Sequence, residues 1–265
     1  MKIFLNELHT EIDEELTLYE VRDKYKKESD IVILNGYPAD KNYKLQENDK
    51  VSLIKKGENL DLHEIENLLA ARHTPNIHKK LKKGSVAILG LGGLGSNIAI
   101  SLARIGVGEL IVADYDIVEP SNLNRQQYFI EDIGSYKIDA IKNHLNKINP
   151  FINVREFNKK ITNKNMNLFK NVDIIIEAFD DPKSKAEISN YVLTNMKDKF
   201  LIASCGMAGY YDSNMIHTKK IRENFYICGD LVSEAKIGDG LMAPRVAICA
   251  NHMANLVIKI LVEKY

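Results

Sequence analysis

Cysteine is scarce in this chain, and the three present, Cys205, Cys228 and Cys249, stand apart and form no C-x-x-C pair. Such spacing gives no disulfide framework and leads us to expect a reducing, cytoplasmic setting. It also leaves a four-coordinate structural zinc site without its ligands, since the scattered histidines show no matching spacing. An excess of one charge is missing as well. Lys+Arg 36 offsets Asp+Glu 36, so no basic field addresses nucleic acid. The chain opens on no apolar signal region, and no apolar run nears the ~18 residues expected of a membrane-crossing helix. The expectation is therefore a protein with neither membrane nor nucleic acid as partner. Its 265 residues, 45% hydrophobic and 27% charged, suit one large domain plus a small one.

What is present is concentrated in one stretch, Val86-Ala-Ile-Leu-Gly90-Leu-Gly92-Gly93-Leu-Gly95-Ser-Asn, with Asp114 beyond it. A short apolar run meets G-x-G-x-x-G and a helical pattern follows, the strand–turn–helix that cradles a nucleotide's phosphates. Gly90 permits the tight turn, Gly92 the approach of phosphate, and Gly95 close packing of helix on strand. The helix N-terminus offers N–H groups and positive dipole to the anion. Asp114 ends the next apolar run, Leu110-Ile-Val-Ala, where an acid meets a ribose hydroxyl.

The glycines do not say which nucleotide. Arg125 and Lys137 follow, and Glu177-Ala-Phe-Asp180-Asp181 comes later. A dehydrogenase needs no such pair of cations near its phosphates, whereas phosphate transfer does. An added Asp can hold Mg²⁺, a hard cation taken up by carboxylates and phosphate oxygens. On spacing alone, Lys137 reads as a solvated residue opening a helix over 138–148, whose Ile138, Ile141, Leu145 and Ile148 form an apolar stripe.

Five motifs occur in order: G-x-G-G-L-G from Gly90, D-x-D at Asp114, S-N-L-x-R-Q at Ser121, G-x-x-K at Gly134, and acid-x-x-D ending at Asp180. In this the chain resembles the ThiF/MoeB/HesA adenylyltransferases, relatives of the ubiquitin-activating enzymes, from roughly Glu64 onward. The resemblance implies an α/β fold, a Rossmann-like ThiF/MoeB domain with a mostly parallel sheet. It also implies ATP and Mg²⁺, with Asp114 on the ribose, Asn122, Arg125 and Lys137 on the phosphates, and Asp180 on the metal. An Arg upstream, here Arg72, would reach the nucleotide of the other protomer of a homodimer. The implied reaction adenylates the C-terminal glycine carboxylate of a ThiS/MoaD-like sulfur carrier, in thiamine or molybdopterin-type biosynthesis, with thiamine favoured. A carboxylate is already ionised at neutral pH, so no general base is required. An NAD(P)-binding oxidoreductase and a non-catalytic binding module of the same fold are the alternatives, and the set Asp114, Arg125, Lys137 and Asp180 weighs against both.

Two departures from the family stand out. The paired C-x-x-C motifs of many members are absent, so no structural zinc is expected. The loop over 235–243 has no Cys, which puts covalent sulfur chemistry in doubt. Cys205 and Cys249 read as buried residues, and Lys185 as a surface lysine.

Residues 1–58 read as a separate module with strands at 3–5, 31–34 and 51–54 and a short helix around Leu16, Tyr19 and Val21. Ile33-Leu-Asn-Gly and Glu47-Asn-Asp-Lys-Val-Ser-Leu are similar to ThiS-type carriers, which implies an N-terminal β-grasp, ubiquitin-like domain. A carrier ends in a free Gly-Gly carboxylate, but here the chain runs on through Gly57, so this module offers no terminus to adenylate. Residues 59–84 read as a helical linker, with a helix over 61–72, and residues 85–265 as the ATP-binding domain.

Overall fold

The structure, a computed structural model, describes residues 1–58, 62–69 and 76–265. The chain divides into two compact units, Met1–Lys79 and Lys80–Tyr265.

In the first unit, β1 (Lys2–Leu5) and β2 (Leu8–Glu11) form a hairpin whose turn residues, Asn6 and Glu7, both have positive φ. Helix α1 (Leu18–Tyr25) follows, with Glu20 reaching back to accept from the Thr17 N–H at 2.8 Å. Strands β3 (Ile31–Leu34) and β4 (Tyr37–Pro38) turn through Asn35-Gly36, again at positive φ, as a tight hairpin turn requires. Strand β5 (Lys50–Ile54) lies between β1 and β3, parallel to the first and antiparallel to the second. The sheet order is β2-β1-β5-β3-β4. Ile3, Leu18, Val21, Leu45, Val51 and Leu53 form its core, giving a ubiquitin-like arrangement of one helix on a mixed sheet. Helix α2 (Leu62–Leu69) lies within the expected 61–72 helix, whose remaining residues fall outside those described. The short α3 (Ile77–Leu81) comes next.

The second unit alternates strand and helix: β6 (Ser85–Leu89), α4 (Gly93–Ile105), β7 (Glu109–Asp114), α5 (Lys137–Ile148), β8 (Asn153–Asn158), β9 (Ile174–Glu177), α6 (Pro182–Asn195) and β10 (Phe200–Ser204). The hairpin β11 (His217–Arg222) and β12 (Phe225–Gly229) precedes α7 (Ala243–Lys264). The sheet runs β11-β12-β10-β9-β6-β7-β8, and every neighbouring pair is parallel except β11 with β12. Strand order reverses between β6 and β9, the place where open α/β sheets bind ligands at their carboxyl ends. The central strands are buried on both faces, which is why Val86, Ile88, Ile174, Ile176 and Ile202 read as near-continuous apolar runs. Edge strand β11, His-Thr-Lys-Lys-Ile-Arg, is exposed throughout and guards the sheet edge with charge.

Helix α7 is long and apolar enough to cross a membrane by length and composition. Arg245, Asn251, His252 and Lys259 interrupt it, so it is not an unbroken apolar run. Here the helix packs on α4 and buries Val246, Cys249, Met253, Val257 and Leu261, as a core helix does.

Candidate nucleotide site

The turn after β6 is built by close approach. Gly90 has φ 93°, and its N–H donates to Ala113 O at 2.8 Å. A Cβ on Gly95 would lie 1.8 Å from Gly90 O, so only glycine lets α4 pack this near the turn. Gly95→Ala must push helix and turn apart. Its expected cost is about 1–3 kcal/mol, read as a drop in thermal midpoint, with loss of nucleotide binding. Unchanged melting would show that the turn has slack. Gly92 caps α4 without a side-chain hydrogen bond, which leaves the first-turn N–H groups without a capping side chain. A Cβ on Gly93 would meet Val246 Cγ1 at 3.0 Å and Arg125 Cγ at 3.7 Å.

Asp114, at the end of β7, is buried. Its Oδ2 accepts from Leu91 N at 2.6 Å, and its Oδ1 from Tyr115 N at 2.7 Å and Asp116 N at 2.9 Å. The carboxylate thus ties the glycine turn to the strand end. Tyr128, which sequence reasoning passed over, donates its hydroxyl to Leu91 O at 2.9 Å. The Leu91 peptide is held from both sides. Burial pushes the Tyr128 hydroxyl well above its ordinary pKa, so it stays a donor.

The segment after Asp116 folds back over α4. Asn122 Oδ1 accepts from Glu119 N at 3.0 Å, while its carbonyl accepts from Arg125 N and Gln126 N. Ser96 Oγ accepts from Gln127 N at 3.1 Å, and Asn97 Nδ2 donates to Arg125 O at 3.2 Å. Arg125 is thereby laid across Gly93. Its Nη1 donates to Ser121 O and Asn124 Oδ1, and its Nε is buried with no partner among the described residues. Lys137 opens α5 with its side chain 7% exposed, its Nζ 2.9 Å from Asp116 Oδ2. The solvated position read from spacing alone is corrected, because the end of β7 turns Asp116 back onto the start of α5. The Lys137 N–H donates to Asp116 O at 2.9 Å.

At the end of β9 the two neighbouring aspartates divide. Asp181 caps α6, accepting from Ser184 N at 2.8 Å and Ser184 Oγ at 2.7 Å. Asp180 is exposed and makes no hydrogen bond or ion pair among the described residues. Glu177 is fully buried, and Leu89 of β6 is its register partner. Its Oε1 accepts from Phe179 N at 2.8 Å and Lys185 Nζ at 3.0 Å. Lys185 Nζ also reaches Phe179 O and Ser204 Oγ. The expected surface lysine is therefore a half-buried strut between β9, α6 and β10. Burial pushes the Glu177 carboxyl up despite the opposing pull of Lys185.

Cys205 corrects another expectation, being exposed at the end of β10, while Cys228 and Cys249 are buried. Burial pushes their thiols up to about 11 and about 12, away from thiolate chemistry. Among the described residues no group of three or more His, Cys, Asp and Glu could hold a metal ion. Arg72 lies outside the described residues. Asp114 ends β7, and the glycines, Asn122, Arg125, Lys137 and Asp180 are carried by the segments that follow β6, β7 and β9. These three strands are neighbours at the reversal of strand order.

Among curated proteins, the chain is similar to the Adenylyltransferase and sulfurtransferase UBA4 of Debaryomyces hansenii, 34% identical over 113 residues, 42% of this chain and 25% of the relative. It is likewise similar to the Probable molybdopterin-synthase adenylyltransferase of Porphyra purpurea, 38% identical over 43% of this chain and 31% of that one. The chain thus spans a quarter to a third of the length of these relatives. Among solved structures, E. coli MccB with ATP is 26% identical with a TM-score of 0.56, covering 78% of this chain and 65% of that one. The E. coli tRNA N6-threonylcarbamoyladenosine dehydratase TcdA in complex with ATP shares the fold, with a TM-score of 0.69, 18% identity, and coverage of 78% and 98%. A ThiS-like ubiquitin profile matches residues 1–57. The ThiF family profile matches residues 66–265, three quarters of the sequence and all of the parallel sheet, and the chain belongs to the ThiF family.

Proposed function

We propose that this chain is an ATP-dependent adenylyltransferase acting on the C-terminal glycine carboxylate of a ThiS/MoaD-like sulfur carrier. The observation that carries the reading is Arg125: a charged side chain whose buried Nε has no partner among the described residues, laid over Gly93 at a helix N-terminus without a side-chain cap. A buried donor left unpaired calls for an explanation, and an anion over Gly93 would supply one for Arg125. The names of the similar proteins and the ATP in the MccB structure agree with it.

In this reading the first-turn N–H groups of α4 and the Arg125 guanidinium hold the phosphates. Lys137, shared with Asp116, adds a second cation, and Asp114, with lone pairs beyond its three backbone bonds, takes a ribose hydroxyl. Asn122 acts by fixing the turn that presents Arg125. The exposed carboxylate of Asp180, unpaired among the described residues, fits Mg²⁺, which when bound would neutralise phosphate charge. The carrier's carboxylate oxygen bonds to the α-phosphorus, the bond from that phosphorus to the pyrophosphate oxygen breaks, and an acyl-adenylate and pyrophosphate result. No proton moves, so positioning and charge carry the catalysis.

The ThiS-like residues 1–57 favour thiamine biosynthesis as the pathway, whereas the Porphyra relative carries a molybdopterin name. Our reading includes a cytoplasmic homodimer in which Arg72 of one protomer serves the nucleotide of its partner. Calorimetry separates this reading from a dinucleotide-binding oxidoreductase. ATP with magnesium should bind and NAD should not, and tight NAD binding without ATP binding would overturn it.

A further inference from the structure

We propose that Gln126 is a nucleotide-contacting residue, its carboxamide donating through Nε2 to a phosphate oxygen beside Gly92 and accepting through Oε1 from a ribose hydroxyl. The inference rests on the ATP reading of the same turn and adds a residue to it. Gln126 is 8% exposed, yet its Oε1 is buried with no hydrogen-bond partner among the described residues. The side chain does not drift there by chance. Its backbone N–H is tied to Asn122 O at 2.9 Å, and the flanking Arg125 and Gln127 are pinned to Asn97 and Ser96 in the first turn of α4. Among the described residues, Gln126 Nε2, at 3.9 Å, is the only atom beyond the turn and its helix within 4 Å of a Cβ built on Gly92.

Glycine at that position lets phosphate approach the backbone, so the amide stands at the edge of the same approach. A buried acceptor left unpaired is costly, which is why native proteins pair nearly all of them. A phosphate at neutral pH brings acceptors only and cannot complete Oε1. A ribose brings hydroxyl donors and can. An amide serves both, because its nitrogen end has two N–H donors and its oxygen end two lone pairs.

Two variants of the full chain, titrated with ATP plus magnesium and separately with adenosine, divide these contacts. Gln126→Glu keeps the shape and an acceptor but loses the donor and repels phosphate. It should weaken ATP about tenfold to a hundredfold and leave adenosine binding unchanged. Gln126→Leu loses both ends and should weaken both ligands. ATP affinity in Gln126→Glu equal to wild type would overturn the phosphate contact, and unchanged adenosine affinity in Gln126→Leu the ribose contact. Ligand-free melting is measured for each variant. Should Gln126→Glu melt earlier and lose ATP and adenosine alike, the role is structural and the proposal fails. Absence of ATP binding by the wild-type chain would instead defeat the nucleotide reading itself.

Discussion

Arg125→Ala should slow adenylation by about 10²–10³ while the protein stays folded. The guanidinium is fixed by Ser121 O and Asn124 Oδ1 at the loop end, so its charge is held in place beside Gly93. A preorganised charge of this kind acts most strongly where negative charge builds, on the phosphates as pyrophosphate departs. Arg125→Lys should recover little, since a point charge on a flexible stem cannot copy a fork held at two acceptors. Single-turnover formation of acyl-adenylate is the readout. A rate within a few-fold of wild type would remove Arg125 from the site, because losing one weak surface contact costs only about 0–1 kcal/mol.

Asp230→Ala should be the most destabilising single change in the larger unit, by about 3–5 kcal/mol. Asp230, just beyond β12, and Arg245, in the first turn of α7, form an ion pair whose side chains are 1% and 4% exposed. Arg245 Nη1 also donates to Tyr211 O at 2.7 Å and Asp212 O at 2.8 Å. Asp230 Oδ1 accepts from Val232 N at 2.9 Å and Ser233 N at 2.8 Å. The pair therefore fastens the segments on either side of β11 and β12 to the start of α7. Without Asp230 the buried guanidinium would have no counter-charge. The pH dependence follows. Burial opposes the charged form, but hydrogen bonds from Ser233, Val232 and Arg245 prevail and lower the Asp230 carboxyl to about 2 from 3.8. A carboxyl depressed by folding stabilises above its unfolded value and loses that contribution as pH falls through the folded one. Wild type should lose this part of its stability between about pH 4 and pH 2, and Asp230→Asn should lack that slope. Parallel wild-type and variant curves in that window would show that the pair contributes nothing.

The parts of this architecture that repeat locally were readable from residue order. Strands β6, β9 and β10 are covered on two faces and so read as apolar runs. Helix α5 buries Ile138, Ile141 and Leu145 on one stripe. Gly90, Gly92 and Gly95 needed only their own spacing and the strand before them. What was not readable depends on contacts across the chain. Lys185 meets Ser204 from a different element, Tyr128 meets Leu91 across 37 residues, and Lys137 is buried by its ion pair with Asp116. No periodicity encodes such pairings. Strands β2 and β4 carry no apolar signal because they are short and largely exposed, and β11 because all six of its residues are exposed. The exposure of Cys205 has a related reason. Strand β10 ends at Ser204, so the apolar run before Cys205 does not carry its burial one residue further.

The activity we propose joins AMP to a carrier's terminal carboxylate. The most direct measurement is exchange of labelled pyrophosphate into ATP by the full chain, with and without carrier proteins ending in Gly-Gly. Exchange that requires both magnesium and one such carrier, and that vanishes when the carrier's terminal glycine is removed, is the predicted result. Tight ATP binding with no exchange for any Gly-Gly carrier of the ThiS or MoaD type would contradict it.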